Sequence, residues 1–525
     1  MATASSRERI RVLIVNCYLD ETRRLAGRPH FVPQGVGPAY LAGVFEPALA
    51  ELRLYSEFHS GPLQDRALLG WPDLLVLTGM TSAYDRMRHV AAYARSLRPD
   101  VVVVAGGPGI RALPDYSRQF FDYCCVGDVE ALGDVVTEVF GRRYVAGSVE
   151  PRFDLIDWAG FIGYVESSRN CNFKCSFCTL TGERNSYQVY DLDHVRRQIA
   201  AVGWRTCLLF IDNNFYGNNR AYFLAKLQML RELWKQRAFG GWAALVTQDF
   251  FARDENLVLA RESGCMALFS GVESFDAEAL RRFGKHQNLL LPQVQTIRKC
   301  LDAGIVFQYG VIFDVSTRSL ADIRDEIGFI TGTPEITLPA FMNLTIPILR
   351  TPYFYECLDE GRFLPNTKLR DMDGNTLVLR PRDPIPEVVR FLEDMPMLRG
   401  YRRRVARHLV GFYRRYRRRL SLPQMISAVG NGALLCLPAI AHHHGALFRR
   451  SHDGARRTYV TTNEPVGPLY TPFFPVDRRY ERYFQPTMIT DGDGGLAPEV
   501  AADLLGPQRS PKHGDPVASG TPGLG

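Results

Sequence analysis

The sequence predicts an α/β protein made of two parallel-sheet units in succession, followed by a mostly helical C-terminal region. Three patterns carry this reading. Short apolar runs of the buried parallel-strand type alternate with helical spacing over residues 10–148. A second alternating series, with six strand-like runs, occupies residues 149–375. Over 376–505 the strand pattern stops and a basic stretch gives way to an apolar one. A chain of 525 residues is too long for one ordinary core, and its 46% hydrophobic and 23% charged content is that of a soluble globular protein.

Residues 1–9 are polar and lack the apolar segment of a secretory signal, so a flexible N-terminus and a cytoplasmic protein are expected. In the first unit Arg11–Asn16, Leu74–Leu77 and Val101–Val104 read as strands, with His89–Leu97 as a helix between the last two. The expected fold is Rossmann/flavodoxin-like. Open sheets of this class bind ligands beyond the carboxyl ends of their strands, where Thr78-Gly79 and Gly106-Gly107 let a bulky group approach the backbone.

In the second unit the strands are Gly163–Ser167, Thr206–Ile211, Gly241–Thr247, Met266–Val272, Val306–Phe313 and Thr337–Leu344. Between them Leu192–Val202, Tyr222–Lys235, Glu255–Glu262, Pro292–Ala303 and Leu320–Thr331 have helical spacing. Repeated βα units with right-handed crossovers curl toward a TIM-type barrel, and six units make a partial (β/α)6 one, open on one side. Reacting residues of such barrels stand at the carboxyl ends of strands, the positions of Asp212, Gln248, Glu273 and Asp314. Each of these can instead cap the helix that follows.

Cys171, Cys175 and Cys178 follow the first barrel strand at C-x3-C-x2-C spacing, with Phe177 just before the last thiol. Thiolates suit iron–sulfur clusters or zinc, and a closed site of either kind normally takes four protein ligands. Three thiols on a cubane leave one iron open to a cosubstrate. Half of a zinc site, or three thiols grouped by chance, is the other reading, although no matching second pair follows downstream. Cysteines used as ligands rather than as disulfides agree with a cytosolic protein.

On these residues the chain resembles the radical S-adenosylmethionine enzymes. The resemblance implies a 4Fe–4S cluster on Cys171, Cys175 and Cys178, S-adenosylmethionine chelated at the open iron, and Phe177 near its adenine. Phe210-Ile211-Asp212-Asn213-Asn214-Phe215 resembles the family's F-x-D-x-x-F, and Gly271-Val272-Glu273-Ser274, followed by Lys285 and Asn288, resembles its G-x-E-S segment. By that likeness Asp212, Gln248, Glu273 and Gly310 line the S-adenosylmethionine pocket.

The first unit resembles the cobalamin-binding domain fused ahead of many such enzymes. The segments that carry the likeness are Gln34–Ala42, Gly106-Gly107-Pro108 with Pro114, and Asp122–Glu130. Thr78, Gly79, Gly106, Gly107 and Gly127 are thereby implied as cobalamin contacts. Three departures stand out: Gly109 and Ile110 fall where a His is common, Asp128-Val129 replaces Glu-Gly, and no D-x-H-x-x-G motif supplies a lower cobalt ligand. A flavodoxin-like cap without a cofactor is the alternative. Arg350-Thr351-Pro352-Tyr353 with Gly361-Arg362 resembles a segment of the cobalamin-dependent members, without its first Gly.

Most of the net charge of +7 comes from nine arginines between Arg402 and Arg419, and residues 420–448 then hold no charged side chain except histidines. Residues 399–448 read either as a membrane-interface segment or as helices packed on the barrel with a solvated basic face. Pro423, Gly432 and Pro438 interrupt the stretch of about 20 apolar residues that a span needs. No nucleic-acid motif accompanies the arginines, so no nucleic acid is expected. His442-His443-His444 is read as a loop, and the Gly/Pro/Ser-rich residues 506–525 as a disordered tail.

The resemblance thus implies a cobalamin-dependent radical enzyme that methylates an unactivated carbon of a lipid, isoprenoid or natural-product intermediate. Its expected partners are a small-molecule substrate and an electron donor such as flavodoxin or ferredoxin. It is expected to be a monomer, in the cytoplasm or peripheral to the inner face of the membrane. Ring formation or rearrangement without net methyl transfer, and an iron–sulfur/cobalamin sensor, are the rival readings. No acid, base or nucleophile is singled out.

Overall fold

The computed structural model describes residues 9–18, 35–157, 161–394, 400–431, 459–461 and 470–506. In the first unit β1 (Ile10–Cys17), β2 (Ala50–Ser56), β3 (Leu74–Gly79), β4 (Val102–Gly106) and β5 (Tyr123–Cys125) pair in parallel in the order β2-β1-β3-β4-β5. The order reverses between β1 and β3, which is the switch point of a doubly wound sheet and opens a crevice at the carboxyl ends. Strand β2 escaped the sequence reading because it is an edge strand. Its outward positions carry Glu51 and Arg53, so no continuous apolar run marks it.

The helix before β4 begins at Tyr84, well ahead of the expected His89, and its first turns are buried although they hold Asp85, Arg86 and Arg88. Each charge has a partner. Arg86 lies 2.8 Å from Glu57, Asp85 accepts from the Tyr470 hydroxyl at 2.9 Å, and Arg88 donates to Thr487 Oγ1 at 2.8 Å. Buried charges are tolerated only when paired in this way, and two of these partners come from the far end of the chain.

The second unit holds β6 (Ile162–Val165), a short antiparallel ribbon of β7 (Ser168–Arg169) and β8 (Gln188–Val189), β9 (Cys207–Phe210), β10 (Trp242–Leu245), β11 (Cys265–Glu273), β12 (Val306–Phe313) and β13 (Phe341–Leu344). Six strands pair in parallel in the order β13-β12-β11-β10-β9-β6, and β6 does not meet β13. This is an α/β half-barrel. Phe210, Phe215 and Trp242 fill its core, with the Phe215 and Trp242 rings stacked at 5.0 Å. The last strand starts at Phe341 rather than Thr337, because Pro339 has no N–H for a ladder and the Thr337 side chain is spent on Phe307 O at 2.6 Å.

The C-terminal region is less helical than its composition suggested. Helices do cover Ile385–Asp394, Tyr401–Tyr416 and residues 422–431. However, β14 (Thr376–Leu377) pairs with β15 (Tyr459–Val460), and residues 470–506, which hold a 3-10 helix at Arg478–Phe484 and a helix at Pro498–Leu505, run back over the first unit. That strap joins the two units. Asp503 accepts from the backbone N–H groups of Asp115 and Tyr116 at 3.0 and 2.9 Å, while its carbonyl accepts from Arg350 at 3.0 Å. The apolar stretch 432–448, with its three histidines, lies outside the described residues. Among the described residues no helix is long and apolar enough to cross a membrane.

Candidate functional site

The cysteine loop leaves the carboxyl end of β6 and is fastened on both sides. At its root Asp212, fully buried after β9, accepts from Ser167 N at 2.7 Å, from Ser168 Oγ at 2.9 Å and from the Ser167 hydroxyl. Lys226 is also fully buried; it donates to Ser167 Oγ and Phe215 O, each at 2.8 Å, and stands 3.7 Å from Asp212. Burial pulls its ammonium down to about 8 despite the nearby carboxylate. On the far side Ser176 N donates to Phe283 O at 3.2 Å, and Ser176 O accepts from Tyr353 N at 3.0 Å. Asp212, expected to face a bound cosubstrate, is therefore an anchor of the loop, with its oxygens already occupied.

Each sulfur accepts hydrogen bonds. The Phe173 N–H lies 3.4 Å from Cys171 Sγ, Gln287 Nε2 lies 3.4 Å from Cys175 Sγ, and the Leu180 and Thr181 N–H groups face Cys178. All three thiols are free and partly exposed. Burial pushes Cys171 up to about 11 and raises Cys178 as well, so within the protein alone the thiolate forms of these two are disfavoured. Among the described residues no three His, Cys, Asp or Glu side chains converge as the ligands of a single ion.

Beside this loop the residues after β11 form one hydrogen-bonded unit. The β11–β12 register skips between Gly271 and Glu273, and Glu273 has a left-handed φ of 61°, costly for any residue but Gly. Its carboxylate pairs with Lys285, which also donates to Gly271 O at 2.8 Å, and Asn288 donates to Gly271 O and Val272 O at 2.8 and 3.1 Å. Lys285 Nζ lies 5.8 Å from the Phe177 ring centroid, and Phe177 meets Phe283 edge-on at 5.1 Å.

Gln248, only 3% exposed, keeps an amide nitrogen with no hydrogen-bond partner among the described residues. Gly310 does not face open space. A Cβ there would lie 2.2 Å from the Phe341 ring, which stacks against Phe269 at 5.8 Å.

A cavity of about 260 Å³ opens beyond the carboxyl ends of β3, β4 and β5 and reaches the barrel. Thr78, Gly106, Gly107 and Gly127 line it from the sheet; Glu166, Arg169 and Ile211 line it from the barrel. Gly79 does not. A Cβ on it would lie 2.9 Å from Cys17 O, so this glycine serves close packing. No histidine is found among the described lining residues.

Arg111 lines this cavity and a second one of about 280 Å³ beside Thr179, Gly182 and Arg350. It also bridges the two units, pairing with Glu183 at 2.6 Å and Asp128 at 3.0 Å. Glu166 is the site residue that sequence reasoning missed. Its carboxylate accepts from Tyr190 Oη at 3.0 Å and faces Arg169 Nε at 3.5 Å, and burial pushes its pKa up to about 7. An acidic residue closing a strand at the barrel's carboxyl end was the available signal.

Residues 165–327 match the model of the Radical SAM superfamily. Over 362 residues the chain is 27% identical to the hopanoid C-2 methylase of Rhodopseudomonas palustris (strain TIE-1), covering 63% of this chain and 64% of that protein. Over 202 residues it is 28% identical to the bacteriochlorophyllide d C-12(1)-methyltransferase of Chlorobaculum tepidum, covering 37% and 42% of the two chains. The chain thus spans less than two thirds of the length of these curated relatives. In fold it is similar to the cobalamin-dependent S-adenosylmethionine radical enzyme OxsB, with a TM-score of 0.51 and 14% identity over 85% of this chain and 82% of that one.

Proposed function

We propose, on the premise that residues 165–327 are a radical S-adenosylmethionine domain, that this chain is a cobalamin-dependent enzyme that methylates an unactivated carbon. One observation carries the reading: three hydrogen-bonded free thiols stand at the carboxyl end of an open half-barrel whose residues just past the first strand, Glu166 and Arg169, also wall the cavity of the N-terminal sheet. Two cofactors could there act on one substrate from opposite sides. The methylase names of the relatives support methyl transfer, and the hopanoid methylase favours a lipid or isoprenoid-like substrate.

When bound, the cluster with S-adenosylmethionine supplies one-electron chemistry that takes a hydrogen atom from carbon, and cobalamin supplies the methyl group. Cys171, Cys175 and Cys178 would hold three corners of the 4Fe–4S cluster, and the N–H groups aimed at their sulfurs temper its charge. For S-adenosylmethionine, Gln248 offers its open N–H, Phe177 an apolar face, and Glu273, steadied by Lys285, an acceptor.

Residues 10–148 form the cobalamin unit in this reading, with Thr78, Gly106, Gly107 and Gly127 as the seat. Arg111, which lines both cavities, would contact a cofactor seated there. A flavodoxin- or ferredoxin-like protein delivers electrons to a monomer in the reducing cytoplasm, where free thiols persist.

Anaerobic reconstitution with iron, sulfide and cobalamin tests the reading. Expected are a cluster signal, 5′-deoxyadenosine formation and a product heavier by about fourteen mass units. Cys175→Ala should lose 5′-deoxyadenosine formation and keep cobalamin. Persistent cleavage in that variant would reject the cluster assignment, and a product about two units lighter would select ring formation.

A further inference from the structure

We infer that the amino end of the half-barrel, opposite the cysteines, is a docking face for an anionic lipid bilayer. Folding gathers there large apolar side chains that are far apart in sequence. Phe161, 66% exposed, lies just ahead of β6, and its carbonyl accepts from Cys207 N where β9 begins. Trp204, 61% exposed, stands in the turn into β9, and Trp234, 37% exposed, donates to Gly240 O at the entry to β10 at 3.1 Å.

The C-terminal helices close the same end. Gln424 donates to Met266 O and Gly304 O, each at 2.8 Å, at the starts of β11 and β12, and the Tyr416 hydroxyl donates to Glu335 O at 2.7 Å on the way to β13. From them Leu422, 74% exposed, and Ile426, 60% exposed, also face solvent.

The charge on this end is one-sided. Helix Tyr401–Tyr416 buries Tyr401, Val405, His408, Phe412 and Tyr416 against the barrel. At 100° per residue its opposite face carries Arg403, Arg407 and Arg414 around Val410, and Arg417 continues it. None of these four arginines has a carboxylate partner among the described residues, and no Asp or Glu occurs from residue 395 to 452. Three acids at this end are already paired, Asp302 with Arg419, Glu232 with Arg196, and Glu262 with Arg231, and Glu335 adds a carboxylate without an ion pair among the described residues.

Exposed tryptophan and aliphatic groups at one end of the barrel, with arginines that lack a carboxylate partner on the helix closing that end, match the interface of an anionic bilayer, apolar tips in the acyl boundary and guanidinium groups on lipid phosphates. The catalytic end then stands roughly 25 Å above the membrane, the length of strands such as β12. Docking therefore tethers the protein, and a lipid substrate must be lifted to reach the site.

The test is co-sedimentation of the full chain with phosphatidylcholine vesicles with and without phosphatidylglycerol. Wild type should pellet only with the anionic vesicles and be released by salt. Replacing Arg403, Arg407, Arg414 and Arg417 by Gln should weaken partitioning by about fivefold per residue, and Lys replacements should restore it. Trp204→Ser with Leu422→Ser should weaken it independently. All variants should keep the wild-type circular dichroism and 5′-deoxyadenosine formation without vesicles, so vesicle binding is read apart from catalysis. Equal binding to neutral vesicles, undiminished partitioning of either variant set, or capture by RNA with no vesicle binding would overturn the inference.

Discussion

Asp212→Asn is the most discriminating change available in the barrel. The carboxylate is fully buried, carries the Ser167 and Ser168 hydrogen bonds at the root of the cysteine loop, and stands 3.7 Å from the buried Lys226 ammonium. Asparagine keeps one acceptor but turns an N–H donor toward groups that are donors themselves, and it strands the lysine charge. Removing one partner of a buried pair costs about 3–5 kcal/mol, enough to lower the melting temperature of a barrel-sized unit by roughly 10 °C.

Part of that loss falls on the loop root, four residues before the first cysteine, so iron uptake on reconstitution should drop to a small fraction of wild type. The assays are iron and sulfide analysis with a thermal melt. Adding Lys226→Met removes the stranded charge and should recover much of the melting temperature. An Asp212→Asn protein that melts with wild type and fills with iron would refute the assignment of Asp212 as the loop's anchor.

Further outcomes follow from the site. Glu166 has a folded pKa raised from 4.5 to about 7, so between those values the folded state holds the extra proton and its stability falls as pH rises. Measured without added cofactors, Glu166→Gln should melt above wild type at pH 8, by up to ~3 kcal/mol of stability, and level with it near pH 4.5; a gap independent of pH would disprove this. Gly310→Ala puts a methyl 2.2 Å from the Phe341 ring, and an overpacking cost of about 1–3 kcal/mol should appear in the melt and be relieved by adding Phe341→Leu. Gln248→Leu removes the unpaired buried donor and should leave the melt unchanged while weakening S-adenosylmethionine binding roughly tenfold by calorimetry; unaltered affinity would show that the amide faces no ligand.

The parallel strands, the half-barrel and the three thiols were legible because their signals are local: apolar runs, helical spacing and a fixed cysteine interval. Strand β2 was hidden by its own exposed edge, and the first turns of the helix from Tyr84 by charges whose partners include Tyr470 and Thr487. Among the candidate site residues, sequence position correctly drew attention to strand ends but could not say which side chains were free. Asp212 is consumed by Ser167 and Ser168, Gly79 by Cys17, and Gly310 by a ring from the next strand, whereas Gln248 is left with an open donor.

By itself the sequence determined the two α/β units and the three-thiol loop, since strand periodicity and ligand spacing are properties of neighbouring residues. Only the tertiary structure decided that Glu166 faces the cavity of the other unit, that the C-terminal strap clasps the first unit, and that Phe161, Trp204 and Leu422 share one end of the barrel. The physical reason is that hydrogen-bond saturation and burial depend on atoms brought together across hundreds of residues, and no local pattern encodes which of them will meet.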